Sequence, residues 1–455
     1  MSEKEVKNEI GADNKAEISE NSAENTENTE NTENTLPKKK KNRFSIRHGA
    51  QMLSDAYEKS LEKNDPIYVY PIHKTEKEEE NVLSRGGIDV YFLLIVLALC
   101  LFGIIMSYSV SSYTAELETG DSLYYVKRHI IYMALAAGLS AVFIIYARPW
   151  FWRVFGIAIY AASIVLLLAV LVVGTVGGGA QRWIAIGPIT IQPSEIAKTS
   201  IVMVLALVMS KYEKKIELSQ RFGGHFRYGV LYPGVLIATV CGLVMLEKHL
   251  SGLIIIGLLG LCIMFIGGTE KKWMLTICAF GAVAVTVVLL LSDYAQERVM
   301  TWLFLEKADP TGSAWQTWQG LYAIGSGGIF GVGLGNSRQK YGYVSEPQND
   351  FIFSIICEEL GFFGALLVIA LFALLLWRGY KIASKCPDKF TSLVVYGLTT
   401  KIALQTALNI AVVTNSMPNT GISLPFFSSG GTALMIQIFE MGIILSLSRY
   451  SYVKK

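Results

Sequence analysis

From Ile88 onward the sequence runs in apolar stretches long enough to cross a bilayer, and this limits the fold more than any other feature. A helix needs roughly 20 apolar residues to span the hydrocarbon. The hydropathy pattern predicts about ten such spans, near 88–110, 128–147, 151–174, 194–210, 228–247, 250–267, 273–292, 352–376, 394–414 and 431–448. Only 17% of the 455 residues are charged, against about a quarter in soluble domains. The expected fold is therefore an all-α polytopic membrane protein.

The charges are distributed unevenly. Residues 1–85 are almost wholly polar and include a repeated Glu-Asn-Thr tract from Glu24 to Thr35, followed by the basic run Lys38 to Arg43. Such a segment has too little apolar surface to offset its ordering entropy, so a disordered cytoplasmic tail is expected over 1–85, with the membrane domain over 86–455. The basic run is expected near an anionic leaflet, either as part of a solvated tail or as a docking element. The first apolar run should act as a signal anchor. Lys38–Lys41, Arg148 with Arg153, Lys211–Lys215 with Arg221 and Arg227, Lys271–Lys272, Arg378–Lys389 and Arg449–Lys455 all fall on one side of the predicted spans. The positive-inside rule makes that side cytoplasmic, and an even span count puts both termini there.

Two outside loops stand out: a Gly-rich one at 174–193 and a long one at 293–350, between the seventh and eighth spans. Long loops with their own Gly, Pro and aromatic content are usually functional. These carry cations on the wrong side for the charge rule, namely Arg182, Arg298, Arg338 and Lys340. An anionic ligand such as a phosphate would explain them; so would local acids or lipid headgroups. The six cysteines have no metal-ligand spacing and are read as free thiols, and the five histidines are scattered. No basic stripe with interleaved aromatics suggests nucleic acid.

Ionisable residues inside spans are costly and tend to mark function. Glu195 and Lys198 lie one turn apart after Gln192-Pro193, which allows a local ion pair. Lys401, Gln405 and Asn409 share one face of the ninth span, and Asp350, Ser354 and Glu358 share one face of the eighth. Gln437 and Glu440 give the tenth a short polar stripe. Hydrogen-bonded helix packing is the alternative for the amides, and Lys401 and Glu358 could simply pair with each other. The segment Gly325-Ser-Gly-Gly-Ile-Phe-Gly-Val-Gly-Leu-Gly335 has no flanking βαβ unit, so close packing suits it better than nucleotide binding.

Four segments together resemble the SEDS family, which includes FtsW, RodA and SpoVE. They are Gly179-Ala-Gln-Arg-Trp through Gln192-Pro-Ser-Glu195, Ala323-Ile-Gly-Ser-Gly-Gly328 leading to Gly335-Asn-Ser-Arg-Gln-Lys340, Glu346-Pro-Gln-Asn-Asp-Phe-Ile-Phe353 with Glu358-Glu-Leu-Gly361, and Thr420-Gly-Ile-Ser-Leu-Pro-Phe-Phe-Ser-Ser-Gly-Gly431. The resemblance spans about 88–450. Asp121-Ser122 with Lys127-Arg128 looks more like the FtsW and SpoVE branch. Departures are Val344-Ser345 where the family usually has Leu-Pro, Asn349 where threonine is commoner, and Lys248-His249 in place of a Pro-containing stretch.

The resemblance implies a peptidoglycan glycosyltransferase of the bacterial cytoplasmic membrane that polymerises lipid II at the outer face. A lipid II flippase is the alternative. The family's proposed catalytic aspartate matches Asp350, for which helix capping is the bland reading. A carboxylate there can take the proton of an attacking sugar hydroxyl, with inversion at the anomeric carbon. Cations can stabilise the departing pyrophosphate, and the candidates for substrate binding are Arg182, Glu195, Lys198, Arg298, Lys340 and Lys401. A divalent cation could share that role. The implied partners are a class B penicillin-binding protein and other division proteins.

Overall fold

A computed structural model describes residues 86–177, 180–187, 189–218, 224–309, 311–312, 314–428 and 430–450. The predicted tail at 1–85 lies outside them, as do Arg221 and the last five residues. The long helices are α1 (Val90–Thr119), α2 (Tyr124–Tyr146), α3 (Pro149–Val173), α4 (Pro193–Lys211), α5 (Tyr232–Leu246, entered through a π-turn at Arg227–Leu231), α6 (Leu250–Gly267), α7 (Lys271–Leu291), α8 (Asp293–Leu303), α9 (Trp315–Gly327), α10 (Ile352–Ala383), α11 (Lys389–Val413) and α12 (Gly431–Ser448). Eight among the described residues are long and apolar enough to cross a membrane: α1 to α6, with the π-turn counted into α5, then α10 and α12. The predicted seventh and ninth spans are helical as α7 and α11 but are not among the eight.

Two of the loops between predicted spans carry regular structure of their own. The Gly-rich loop at 174–193 is an antiparallel three-stranded sheet, β1 (Thr175–Gly177), β2 (Ala180–Ile186) and β3 (Ile189–Ile191), in the order β1-β2-β3. Ile184, Ile186, Ile189 and Ile191 alternate around a turn at Gly187, whose φ is +61°, and that is a hairpin signature within an otherwise helical chain. The 293–350 loop is not continuous irregular chain either, since α8 and α9 are built into it.

Helix starts follow local chemistry. The Asp89 carboxylate accepts from Phe92 N–H at 2.9 Å and caps α1, while Pro149 and Pro193 open α3 and α4, where a missing N–H costs nothing. At the same end of the bundle Asp89 pairs with Arg378 of α10 (2.8 Å), and Arg153 of α3 pairs with Asp388, the cap of α11 (2.7 Å). The basic residues of the predicted inner loops thus tie helix ends together.

At the centre, α4 and α12 are the most enclosed helices. Small residues allow close approach: a Cβ on Gly156 of α3 would meet Met203, and one on Gly397 of α11 would meet Val202. Helix α10 breaks at Gly361, whose φ of +65° favours glycine. The break leaves carbonyls without helical partners, and the glycine segment supplies them. Val332 N–H donates to Glu358 O (2.9 Å) and Gly333 N–H to Glu359 O (3.0 Å), while Phe362 N–H donates back to Gly328 O (2.9 Å). In hydrocarbon such groups must be met within the protein. A Cβ on Gly327 or Gly331 would collide with the carbonyls of Cys357 or Glu359, so the segment is glycine-rich to let backbone lie on backbone.

Lys401 and Glu440 are both fully buried and pair at 2.5 Å, and Thr199 also donates to Glu440. Removing one member of a buried pair strands the other charge, at a cost of about 3–5 kcal/mol. Glu440→Ala should therefore lower the thermal unfolding midpoint sharply, whereas the double change Lys401→Met with Glu440→Met should recover most of it; heat unfolding in detergent measures both.

Candidate functional site

Asp350 ends the loop that delivers the chain into α10. Its side chain is not the helix cap: the capping position falls on Phe351, and among the described residues nothing hydrogen-bonds the Asp350 carboxylate. What is held is its backbone. Asn409 of α11 donates one amide hydrogen to Asp350 O (2.8 Å) and the other to Ile422 O (2.6 Å). One buried side chain thus staples the start of α10 to the 419–422 segment. That segment crosses the carboxylate at Gly421, where φ is +67° and a Cβ would stand 3.1 Å from Asp350 Oδ2.

The half-buried carboxylate is set between opposed charges. Burial pushes it up most, Glu346 adds to the rise, and the Arg298 guanidinium opposes them, which leaves it at about 6. Glu346 holds a φ of +50° and accepts from the Asn349 side chain at 2.7 Å. Arg298, on α8, donates to the Asn419 carbonyl. A carboxyl near 6, ionised at neutral pH yet not tied up by donors, is chemically suited to accept a proton.

The other candidates fall in two places. Glu195 and Lys198 pair at 2.6 Å at the start of α4, both buried, and they interact electrostatically with Lys401 and Glu440. Arg182, on β2, joins this cluster from the sheet. Its guanidinium donates to Lys248 O (2.5 Å) and lies close enough to Glu247 and His249 to act on both. Burial pushes Glu247 up to about 8 and His249 down to about 3, so both are neutral at pH 7 beside the Arg182 guanidinium. Neither Glu247 oxygen has a partner among the described residues.

Lys340 stands apart from both places. It is buried, pairs with Glu359 at 3.1 Å and donates to Gly335 O at 2.6 Å, so it anchors the glycine segment to α10. Lys401 and Glu358 do not pair with each other: Lys401 takes Glu440, and Glu358 accepts from Ser337 and from Arg338 N–H. Of the cations singled out in the sequence, Arg298 is the one whose charge reaches Asp350. The residues the sequence undervalued are Asn409, which reads as helix glue, and Glu247 and His249, which lie between the fifth and sixth apolar runs. The signal for Glu247 and His249 was an acid and a histidine between two apolar runs with no room for solvent. The six cysteines are free, and among the described residues no group of three or more His, Cys, Asp or Glu side chains comes together to hold a metal.

Comparisons with known proteins bear on the family and the fold. The cell cycle protein family of FtsW, RodA and SpoVE matches over residues 90–453. Stage V sporulation protein E of Bacillus subtilis is 37% identical over 366 residues, which cover 80% of this chain and 97% of that protein. The protein named "Probable peptidoglycan glycosyltransferase FtsW" of the same organism is 35% identical, covering 81% and 93%. One chain of a solved peptidoglycan synthase complex, described as coordinating polymerization and crosslinking, superposes with a TM-score of 0.66 at 25% identity, covering 81% of this chain and 99% of that one. Thermus thermophilus RodA shares the fold, with a TM-score of 0.59 at 24% identity, covering 81% and 98%. The match runs through every described transmembrane helix, and the chain belongs to the FtsW/RodA/SpoVE family.

Proposed function

We propose that this chain is a peptidoglycan glycosyltransferase that joins lipid II units into glycan strands at the outer face of the cytoplasmic membrane, with Asp350 as general base. One observation carries the reading: a half-buried carboxylate at a helix start, backbone-stapled by Asn409, not hydrogen-bonded by any described residue, and raised to about 6. The names of the FtsW relatives supply the reaction class.

In the step, a sugar hydroxyl oxygen attacks the anomeric carbon from the side opposite the lipid pyrophosphate. Its proton passes to Asp350, and the carbon–oxygen bond to pyrophosphate breaks with its electron pair leaving on the phosphate oxygen. The product is inverted at that carbon. Pyrophosphate is already a good leaving group, so electrostatic stabilisation can replace a general acid. Arg182 and Lys198 suit that role, because Glu247 and His249 beside them are neutral and leave the local balance positive. Any divalent cation sharing the role would supply further positive charge for the departing pyrophosphate. The predicted charge asymmetry supports cytoplasmic termini and an outward-facing Asp350, with the 1–85 tail inside. The chain's likeness to a chain of a peptidoglycan synthase complex supports a transpeptidase partner of the class B penicillin-binding type.

Asp350→Asn in purified, folded protein should abolish glycan formation from lipid II, as seen by gel separation of the products; normal strand synthesis by that variant would rule out the base. A pH series gives a second expectation. Below about 6 the carboxylate is protonated and cannot accept a proton, so the rate should climb through pH 6 and level above neutrality. Glu346→Gln removes a charge that raises the carboxyl and should move the rise to lower pH. Arg298→Gln removes one that lowers it and should move the rise upward.

A further inference from the structure

Between α8, α9 and the chain that follows α11 lies a cavity of about 410 Å³ that the reaction scheme leaves unused. Small-ligand pockets occupy roughly 300–1,000 Å³, so it has room for a sugar ring and its substituents. Its chemistry is not that of a lipid site or a phosphate site. Two indoles, Trp302 and Trp315, line it together with the amides of Gln316, Asn415 and Asn419. The charges on its wall are one acid and one base, adjacent in sequence as Glu297 and Arg298, and Arg298 is engaged with the Asn419 carbonyl. A wall with no net charge favours a neutral ligand over pyrophosphate.

The wall is preorganised by its own hydrogen bonds. Trp302 Nε1–H donates to Asn415 O at 3.0 Å, which fixes that indole. Gln316 donates to Ser345 O at 2.9 Å and accepts from Asn419 at 3.1 Å, joining α9 to the loop that leads to Asp350. Rigid aromatic surface flanked by a few amides is how a protein meets a ligand with apolar C–H faces and polar edges. The cavity also adjoins the reacting carboxylate. Arg298 acts electrostatically on Asp350, and two residues beyond Asn419 the chain passes over that carboxylate at Gly421.

We propose that this cavity is a saccharide subsite, which seats the neutral acetamido sugar whose hydroxyl attacks and so presents that hydroxyl to Asp350. The assignment rests on the glycosyltransferase reading for its place in the reaction, but not for binding itself. Trp315 and Trp302 supply the platform, the amides read hydroxyl and acetamido groups, and Arg298 couples the occupied subsite to the base.

The test uses the full chain in detergent with N,N′-diacetylchitobiose as the probe, read by saturation-transfer NMR at its acetamido methyl protons. The wild type should transfer saturation, and Trp315→Ala should weaken binding about tenfold. Trp315→Phe, which keeps an aromatic ring, should restore most of the signal. Trp150→Ala, a change at an exposed indole on α3, should leave it unchanged. Inorganic pyrophosphate should not displace the sugar. In polymerisation assays Trp315→Ala should raise KM more than it lowers kcat. Asp350→Asn should still bind the probe, so a failure of the base assignment and a failure of the subsite are read separately. No transfer in the wild type, equal transfer in Trp315→Ala, or displacement by pyrophosphate would overturn the subsite.

Discussion

The break in α10 at Gly361 and the glycine segment that fills it organise the end of the bundle that carries Asp350. A helix interrupted inside a membrane bundle exposes carbonyls that no water can satisfy. Here Val332 and Gly333 take the carbonyls of Glu358 and Glu359, while the side chains of those two acids take Ser337, the Arg338 N–H and Lys340. Backbone and side chains of one pair of residues therefore hold the whole 327–340 stretch. Since α10 begins at Ile352, this clamp also fixes the helical turns that immediately follow Asp350.

The second organising device is the amide of Asn409. It reaches from α11 to the carbonyls of Asp350 and Ile422, so Asp350 and the segment crossing over it share one support. Asn409 lies two turns along α11 from Lys401, which is tied to Glu440 and, through it, to Thr199. A single helix face thus links the carboxylate at the bundle's edge to the charge cluster within it. Positions of this kind preorganise a site because moving one group disturbs partners on α4 and α12 and in the segments at Asp350 and Ile422.

In the proposed reaction the charge arrangement separates two tasks. Asp350 is set against Glu346 and Arg298, with a nearly neutral aromatic cavity beside it, whereas Arg182, Lys198 and Lys401 gather around Glu195, Glu440 and His249. Proton acceptance needs a carboxylate of moderate basicity, while stabilisation of a leaving pyrophosphate needs a positive field. Keeping the two apart lets burial raise Asp350 without nearby lysines pulling it back down.

Much of this was written in the sequence. Apolar runs of bilayer length fix where the helices are, because a helix meets its backbone hydrogen bonds within one segment, and Asp350, Glu195 and Lys198 stand out as charges at span ends. The local pair Glu195–Lys198 was legible because i and i+3 share a helix face. The pairing of charges far apart in sequence was not: Lys401 with Glu440 and Lys340 with Glu359 depend on which helices touch, and periodicity gives each helix a face without naming its neighbour. The same limit hid the role of Asn409, the packing of the glycine segment on the α10 break, and the strands at 175–191, whose short alternation is weak beside the hydropathy of the spans. The sequence determined a membrane bundle with an acid at the head of one helix. Only tertiary packing decided that this acid has no hydrogen-bond donor among the described residues, is raised toward neutrality and is set beside a cavity, since burial and the nearness of Glu346 and Arg298 are properties of the folded arrangement alone.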